Sequence, residues 1–422
     1  MTNNAESFRW GSLAFPVLLP TLAFSIGEGA IIPIIPIVAS ALGADLALAG
    51  LITGMLLVGQ LVGDIPSGWV VSRIGERPSM IAAAALSIAA VGIAAISPST
   101  FVLGIAVFLV GLSAAVFALA RHAFMTSFVP FSHRARALAT LGGIFRLGLF
   151  IGPFVAAGVI AVFHSSQAVF WVHVVGCTLA ALLLVFMPDP ETVFASRVAP
   201  SGLREGEELV AKEATGLFRT IVDNGGVLLR LGTGSAIVQA VRASRQVILP
   251  LWAVNIGVSE TSTALIIGIG GALDFALFYA SGQVMDRWGR LASALPSLLG
   301  LGVGLIVLAV SHDFAAASVW FVVLTVFLGI ASGIGSGILM TLGADLADKS
   351  NPAPFLGAWR FTNDAGGAAS PLAIAGLTAL VSLPFATGVM GGLGLLGAWI
   401  MWRYIPRYAP GPDGNSGPRP RS

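Results

Sequence analysis

Long apolar runs separated by short polar breaks extend over almost the whole chain, and this pattern predicts helices that cross a membrane. A helix needs about 20 mostly apolar residues to span roughly 30 Å of hydrocarbon. Twelve runs are long enough, and they predict spans at residues 13–39, 48–71, 79–97, 101–127, 137–163, 168–187, 227–254, 262–285, 291–311, 316–344, 356–381 and 384–405. The predicted fold class is therefore an all-α membrane protein with twelve transmembrane helices.

A long polar stretch after the sixth span divides the predicted helices into two sets of six. The resulting segments are an N-terminal half at 1–187, a cytoplasmic linker that could hold an amphipathic helix at 188–226, a C-terminal half at 227–405 and a cytoplasmic tail at 406–422. The tail is rich in proline, glycine and polar residues, a composition typical of disorder. We therefore expect two membrane domains joined by a tether.

The two halves repeat each other in the positions of glycine and proline. A shift of 214 residues lays Pro36 on Pro250 and Gly54 on Gly268. Two related six-helix halves with the substrate bound between them are a recurring design of transporters. The repeat therefore predicts pseudo-symmetric halves and a central binding site.

Composition narrows the class of protein further. Of the 422 residues, 56% are hydrophobic and 10% are charged, whereas soluble proteins carry about 25% charged residues. The net charge of +2 argues against a nucleic-acid partner. The single cysteine, Cys177, excludes an internal disulfide and a cysteine-based metal site. We find no paired acids in a polar loop, no metal triad and no phosphate loop, so we expect no enzyme activity, no bound metal and no cofactor.

The distribution of basic residues predicts the orientation in the membrane. Cytoplasmic loops carry an excess of lysine and arginine. One set of loops has this excess, with Arg73, Arg77, Arg134, Arg136, Arg287, Arg290 and Lys349. The loops on the opposite side have neither residue type. We therefore expect a multi-pass protein of the cytoplasmic membrane with both termini in the cytoplasm. The segment before the first span has no basic leader, so we expect that span to be a retained signal-anchor.

Two related loops resemble a known signature. The loop after span two reads GWVVSRIGER (68–77), and the loop after span eight reads GQVMDRWGR (282–290). Both are similar to the G-x-x-x-D-R-x-G-R-[KR] loop of the major facilitator superfamily, with Ser72 and Glu76 as departures in the first copy. The matching positions are Gly68, Arg73, Gly75, Arg77, Gly282, Asp286, Arg287, Gly289 and Arg290. The resemblance implies the major facilitator fold and a loop that acts as a latch for one conformation.

Spans one and five resemble one branch of that superfamily. Gly148, Gly152 and Pro153 match the first part of the G-x-x-x-G-P-x-x-G-G motif of its proton antiporters, although the last two glycines are alanines here. In span one, Glu28 precedes two prolines, as in its twelve-span drug:proton exporters. Phe108 stands where those exporters usually have an arginine. The resemblance implies a transporter that works by alternating access.

Ionisable residues inside the predicted spans are the main functional candidates. Each costs about 2.5–3.5 kcal/mol at the centre of a bilayer, so such residues must pair or line a wet cavity. They are Glu28, Asp64, Arg121, Arg146, Arg242, Arg245, Asp274, Arg360 and Asp364. We take the four acids as candidates for proton coupling and the five arginines as candidates for substrate contact or charge pairing. We expect Arg121 to extend its head group to the membrane interface.

Glu28 is our first candidate for protonation. It lies about 15 residues into its span, or roughly 22 Å along a helix axis. Arg242 and Arg245 lie at similar depth in span seven and share one helical face. The 214-residue shift lays Arg242 on Glu28. The fold that the resemblance implies has helices one and seven lining the central cavity, so we expect an acid and a base to face each other across it. The alternative is an ion pair that has only a structural role.

Two further ion pairs are expected to join the halves. In the fold that the resemblance implies, helix five lies near helix eight and helix two near helix eleven. Arg146–Asp274 and Asp64–Arg360 would then be links that break and re-form during transport, and Asp364 would compete for Arg360. Direct substrate contact and packing within one half are the alternatives.

Two functions follow from these candidates. The first is proton-coupled efflux of small hydrophobic compounds or drugs, with Glu28 as the coupling group. The alternative is a carrier for an anionic metabolite held by Arg242 and Arg245. A membrane-embedded enzyme and a receptor without transport activity are weaker alternatives. We expect a monomer whose partners are a small-molecule substrate, protons and the lipid bilayer.

Overall fold

The computed structural model describes residues 14–129, 131–186, 217–348 and 353–408, and these form helices with no strand among them. The main helices are α1a Leu19–Ile31, α1b Ile35–Ala41, α2 Leu46–Ile74, α3 Glu76–Ala95, α4 Thr100–Phe128, α5 Phe131–Phe163, α6 Phe170–Phe186, α7 Thr233–Asn255, α8 Glu260–Trp288, α9 Arg290–Val310, α10a Ala317–Ile334, α10b Ile338–Leu346, α11 Ala353–Leu380 and α12 Leu383–Tyr408. The predicted all-α fold class is confirmed.

Twelve helical segments match the twelve predicted spans in order. Nine helices in the described ranges are long and apolar enough to cross a membrane, and the bent pair α1a–α1b makes a tenth. Helices α7 and α11 have the length but are more polar, because they carry Arg242, Arg245, Arg360 and Asp364. Their polarity is explained by their position at the centre of the molecule.

The most extensive helix contacts lie within the first six helices or within the last six. In the first half α2 packs on α4 and α1a packs on α5 and α6; in the second, α9 packs on α12 and α7 packs on α11. The halves meet mainly through α2–α11 and α5–α8. Most of the predicted linker and tail lies outside the described residues, apart from a short helix at Leu217–Asp223. Lys349 and the side chain of Arg134 also lie outside them.

Glycines allow the helices of each half to approach closely. A Cβ atom at Gly152 would collide with the backbone of Gly29 and Ala30 on α1a, and one at Gly148 would collide with Ser25. The helix-five motif therefore seats α5 directly against α1a. Small residues are enriched at such interfaces between membrane helices because they let backbones come together.

Each of the two loops that resemble the superfamily signature contains a glycine with a left-handed backbone. Gly75 has φ of 86° and Gly289 has φ of 84°, a conformation in which a side chain is strained. Nearby, Arg77 donates to the carbonyl oxygens of Leu184 and Val185, both at 2.8 Å. Tight turns and contacts to helix ends in the same half explain these signature positions.

The second loop makes a stronger contact within its own half. Arg290 pairs with both carboxylate oxygens of Asp345 on α10b, at 2.7 and 3.1 Å, and donates to the carbonyl of Met285 at 3.3 Å. Asp286 is exposed. The other signature arginines lie over tryptophan rings, Arg73 over Trp69 and Arg287 over Trp288. The role of these loops as a latch stays a prediction.

The halves are closed together at one end of the molecule. We call the end with the Arg73–Arg77 and Arg287–Arg290 loops the basic end and the opposite one the far end. At the far end Gly54 packs on Pro371, a Cβ at Gly50 would lie 3.1 Å from Leu251, and one at Gly268 would lie 2.9 Å from Phe154. Toward the basic end, Met340, which lines the space between the halves, is 69% exposed. The space between the halves therefore opens at the basic end.

Two helices are broken where they face this space. Helix α1 bends by 40° between Ile31 and Ile35, at Pro33, which cannot donate a backbone hydrogen bond. Helix α10 is interrupted at Gly335–Gly337. Irregular backbone at membrane depth is tolerated only where it is buried in protein or lines a cavity. Both breaks lie beside the cavity described next.

Candidate functional site

A cavity of about 420 Å³ lies between the two halves. Helices α1, α2 and α5 form one wall, and α7, α8 and α10 form the other. Most of its surface is apolar, so the few polar groups are the candidates for binding a polar substrate or a proton. The polar and charged side chains in its wall are Glu28, Gln60, Arg146, Gln239, Arg242, Arg245, Gln246, Asp274, Thr325, Ser332 and Ser336.

Three arginines converge on one carboxylate. Arg245 donates to Asp274 at 2.6 Å, whereas the nearest nitrogens of Arg146 and Arg242 lie 3.9 and 4.0 Å from the other Asp274 oxygen. The side chains of Arg242, Arg245 and Asp274 are about 15% exposed, and that of Arg146 is 27% exposed. Three cations and one anion give this cluster a net charge of +2.

The broken helix α10 completes the surroundings of Asp274. Ser332 donates to one carboxylate oxygen and Ser336 to the other, each at 2.9 Å. At the break, Gly335 offers its carbonyl oxygen to Arg242 at 3.3 Å. Because interruption of a helix frees backbone carbonyls, the break supplies an acceptor that a regular helix would not offer. Neutral groups of α10 thus bind Asp274 and Arg242 in addition to the ion pair between Arg245 and Asp274.

Arg146 connects the halves through this cluster. It comes from α5 of the first half and donates to the hydroxyl and the carbonyl oxygen of Ser336 in the second, both at 3.0 Å. Its guanidinium also lies over the ring of Phe278 on α8, 4.7 Å from the ring centre. The expected contact between Arg146 and Asp274 is present, although at 3.9 Å it is longer than a hydrogen bond.

Glu28 and Arg242 line opposite walls of the cavity, and no ion pair joins them among the described residues. The Glu28 side chain is 3% exposed and accepts a hydrogen bond from Gln60 on α2 at 3.2 Å. Arg242 lies instead beside Asp274, a neighbour within its own half. Whether the two groups interact across the cavity during transport stays a prediction. Positions related by the repeat occupy equivalent places in opposite halves, and equivalence does not bring their side chains into contact.

Arg121 does not extend to the membrane interface, and that expectation is wrong. The side chain is 95% buried, and its guanidinium lies over the ring of Phe145 at 4.4 Å. Its Nε and Nη1 atoms have no hydrogen-bond partner among the described residues. Arg121 interacts electrostatically with Glu28. The aromatic ring and the nearby carboxyl group explain why the arginine stays inside the protein.

A second cluster lies where α2 meets α11. Arg360 pairs with Asp64 across the halves at 2.7 Å and with Asp364, one turn along its own helix, at 3.5 Å. Both contacts are those that the sequence led us to expect. Whether they act as a gate stays a prediction.

The family follows from comparison with known sequences. A profile of the Major Facilitator Superfamily matches residues 17–368 and again residues 231–421. The chain belongs to this superfamily. It is therefore a membrane transporter and not an enzyme.

Curated relatives of this major facilitator are metabolite and anion transporters by name. The chain is 28% identical to a cis,cis-muconate transport protein of Acinetobacter baylyi over 36% of its length and 37% of the relative. It is 25% identical to the putative metabolite transport protein YwtG of Bacillus subtilis over 65% and 64%. It is 26% identical to the probable anion transporter 7 of Oryza sativa subsp. japonica over 42% and 40%. The matched segments thus span less than two thirds of each relative.

Solved structures agree on the fold. A D-xylose–proton symporter has a TM-score of 0.71 at 16% identity and covers 96% of this chain and 99% of its own. A peptide transporter, POT, bound to alafosfalin has a TM-score of 0.74 at 16% identity and covers 94% and 95%. At 16% identity these structures show that the fold is shared, and nothing about the substrate. The resemblance to the drug:proton branch finds no support among these relatives and stays a prediction.

The sequence did not single out the uncharged polar residues of the cavity, nor the acid that pairs with the second signature loop. Gln60, Ser332 and Ser336 are ordinary residues in apolar helices, and only their four-residue spacing put the two serines on one face. Asp345 could have been noticed as an acid near the end of span ten. Its partner Arg290, however, is 55 residues away in sequence.

Proposed function

We propose that this chain carries a small organic anion across the membrane by alternating access. The observation that supports this function best is the convergence of three arginines on one aspartate in the cavity between the halves. With Asp274 and Glu28 both ionised, the cavity wall still has a charge of +1. A pocket with excess positive charge at membrane depth favours an anionic substrate, because unpaired charges there are costly.

Arg146 and Arg242 are the groups that would bind the anion. Arg245 is engaged with Asp274 at 2.6 Å, whereas the other two lie at 3.9 and 4.0 Å, beyond hydrogen-bonding distance. Guanidinium groups bind carboxylates through paired N–H donors. A carboxylate between Arg146 and Arg242 would contact both halves at once. Substrate binding would then change the energy of their approach, as alternating access requires.

Asp274 is proposed to act as the resident counter-charge of the empty carrier. Its carboxylate keeps the three guanidinium groups from repelling one another when no substrate is present. An incoming carboxylate would share Arg146 and Arg242 while Arg245 and the two serines hold Asp274 in place. The names of the muconate and anion transporters support a substrate of this class.

The state seen here is proposed to face the cytoplasm. The cavity opens at the basic end, and basic loops mark the cytoplasmic side of membrane proteins. Proton coupling is part of the proposal as well, since a proton moving down a potential of 100 mV supplies about 2.3 kcal/mol. Glu28, Asp64, Asp274 and Asp364 all stay predicted candidates for the group that binds this proton.

Counterflow in proteoliposomes tests the anion hypothesis. The purified chain would be reconstituted with unlabelled cis,cis-muconate inside and labelled cis,cis-muconate outside, with inorganic phosphate and a lipophilic cationic dye as competing cargoes. We expect anion exchange that falls at least about tenfold in Arg242→Ala, because a charge-assisted contact is lost. Arg242→Lys keeps the charge but not the paired donors, and should fall less.

Arg403→Ala is the matched control, because Arg403 lies over Tyr404 at the end of α12, outside the cavity. It should exchange the anion like the wild type. Exchange of the dye without any anion would contradict the proposal and favour the efflux of hydrophobic compounds. Normal anion exchange by Arg242→Ala would show that the cluster is not the binding site.

A further inference from the structure

Two carboxyl groups and one arginine meet at the boundary between the halves, away from the arginine cluster of the cavity. Asp64 belongs to α2 of the first half, and Arg360 and Asp364 belong to α11 of the second. Arg360 lies 2.7 Å from Asp64 and 3.5 Å from Asp364. The Asp64 side chain is 16% exposed and that of Asp364 is 31% exposed. We call these three residues the seam cluster.

The two acids of the seam cluster converge on one guanidinium group. Arg360 reaches an oxygen of Asp64 at 2.7 Å and an oxygen of Asp364 at 3.5 Å, so the two carboxyl groups are neighbours. Two ionised carboxylates side by side repel, whereas a carboxyl and a carboxylate can share a hydrogen. One arginine can balance only one negative charge. The charges of the seam cluster therefore balance when Asp64 and Asp364 hold one proton between them.

Among the described residues, the ion-pair partner of Asp364 is Arg360. On α4, Arg121 and His122 interact with Arg360. Helix α7 faces α11 with uncharged groups, such as Gln239 beside Gly367 and Ser235 bonded to Asn363. In the part of the chain that the structure describes, Arg360 is the cation that pairs with both acids.

We propose that Asp64 and Asp364 bind the coupling proton of this transporter jointly. The proton joins one carboxylate as an O–H that the other carboxylate accepts, and the seam cluster becomes neutral. When α2 and α11 separate, each acid is hydrated on its own and the proton leaves to water. Proton binding therefore stabilises the state in which these helices touch at the seam. The link to substrate rests on the proposed transport function, but the proton site itself does not.

Glu28 provides a sharp comparison. It is an acid in the same half and at similar depth, but the group that contacts it is the neutral amide of Gln60 and not a second carboxyl. Glu28→Gln should therefore leave the shared proton in place. Asp64→Asn and Asp364→Asn each remove one half of the acid pair, and each keeps one ion pair of Arg360, which protects the fold.

Infrared difference spectroscopy on the reconstituted full chain without substrate tests the proton site. We expect a protonated-carboxyl C=O band that changes with pH in the wild type and in Glu28→Gln. The band should be lost in Asp64→Asn and in Asp364→Asn. A band that survives in both aspartate variants, or that is lost only in Glu28→Gln, would overturn the proposal.

Transport provides the second readout, again with labelled cis,cis-muconate. We expect Asp364→Asn to exchange the anion by counterflow at equal pH but to lose accumulation driven by a pH gradient. Accumulation at the wild-type level in this variant would overturn the joint proton site. If the wild type exchanges no anion, the proposed substrate class fails. The infrared result then decides the proton site by itself.

Discussion

At the scale of single residues, the short ion pair between Arg245 and Asp274 is the most consequential contact in the cavity wall. Its 2.6 Å distance and its burial mean that removal of one partner leaves a charge with little solvent. Breaking a buried pair in this way costs about 3–5 kcal/mol, more than the pair itself contributes. Arg146 and Arg242, at about 4 Å from Asp274, reduce this cost because they still compensate part of its charge.

Arg245→Ala should therefore lower the thermal stability of the protein in detergent, by up to about 3 kcal/mol in the free energy of unfolding. The physical reason is that Asp274 loses its closest counter-charge. The double variant Arg245→Ala with Asp274→Asn should be less stable than Arg245→Ala alone, because Arg146 and Arg242 then lose their shared carboxylate. Thermal unfolding with and without the second substitution measures this. Equal stabilities for the single and double variants would contradict the explanation.

At the scale of helices, the contact between α5 and α1a depends on glycines that have no room for a side chain. Helix α1a carries Glu28, a candidate for proton binding, and α5 carries Arg146, a candidate for anion binding. The contact between the two helices therefore positions both residues. At Gly152 an added methyl group would meet the backbone of α1a, which cannot move aside cheaply. At Gly158, on the same helix, nothing lies within 4 Å of such a methyl group.

Gly152→Ala should destabilise the protein by about 1–3 kcal/mol, whereas Gly158→Ala should be neutral or slightly stabilising. Both substitutions raise the helix propensity of α5 equally, so the difference between them reports the crowding against α1a. Unfolding in detergent, followed by circular dichroism, provides the comparison. Similar stabilities for the two variants would mean that α5 and α1a are not in the close contact described.

At the scale of the whole molecule, the closed far end and the open basic end define one state of an alternating-access cycle. Met340 lines the cavity and is 69% exposed, whereas Leu251 is buried where the halves meet at the far end. Cys177, the single native cysteine, is fully buried. Introduced cysteines can therefore report access to each end without interference from the native thiol.

Met340→Cys should react with a membrane-impermeant maleimide in inverted vesicles and should be protected in intact cells, and Leu251→Cys should resist labelling in inverted vesicles. Binding of a transported anion should slow the reaction at position 340, since it favours closure of the basic end. Rates of labelling from each side measure both effects. Faster labelling of Met340→Cys from outside intact cells would reverse the orientation that we infer from the basic loops.

Much of the architecture could be predicted from the sequence, because a bilayer restricts what a chain can do. Backbone groups must be paired inside the hydrocarbon, so long apolar runs form helices. Glycines in the signature loops, such as Gly75 and Gly289, are required locally by the turns that they form. The contact between Asp64 and Arg360 could be expected once the resemblance placed span two beside span eleven.

The sequence by itself determined the helices, their division into two halves, the loop signatures and the set of ionisable residues at membrane depth. Only the tertiary structure decided that Asp274 gathers the arginines while Glu28 turns to Gln60, and that Arg121 is buried under Phe145. Spacing along a helix fixes the face on which a residue lies. The neighbour that it meets there depends on helix rotation and packing, which distant parts of the chain set together.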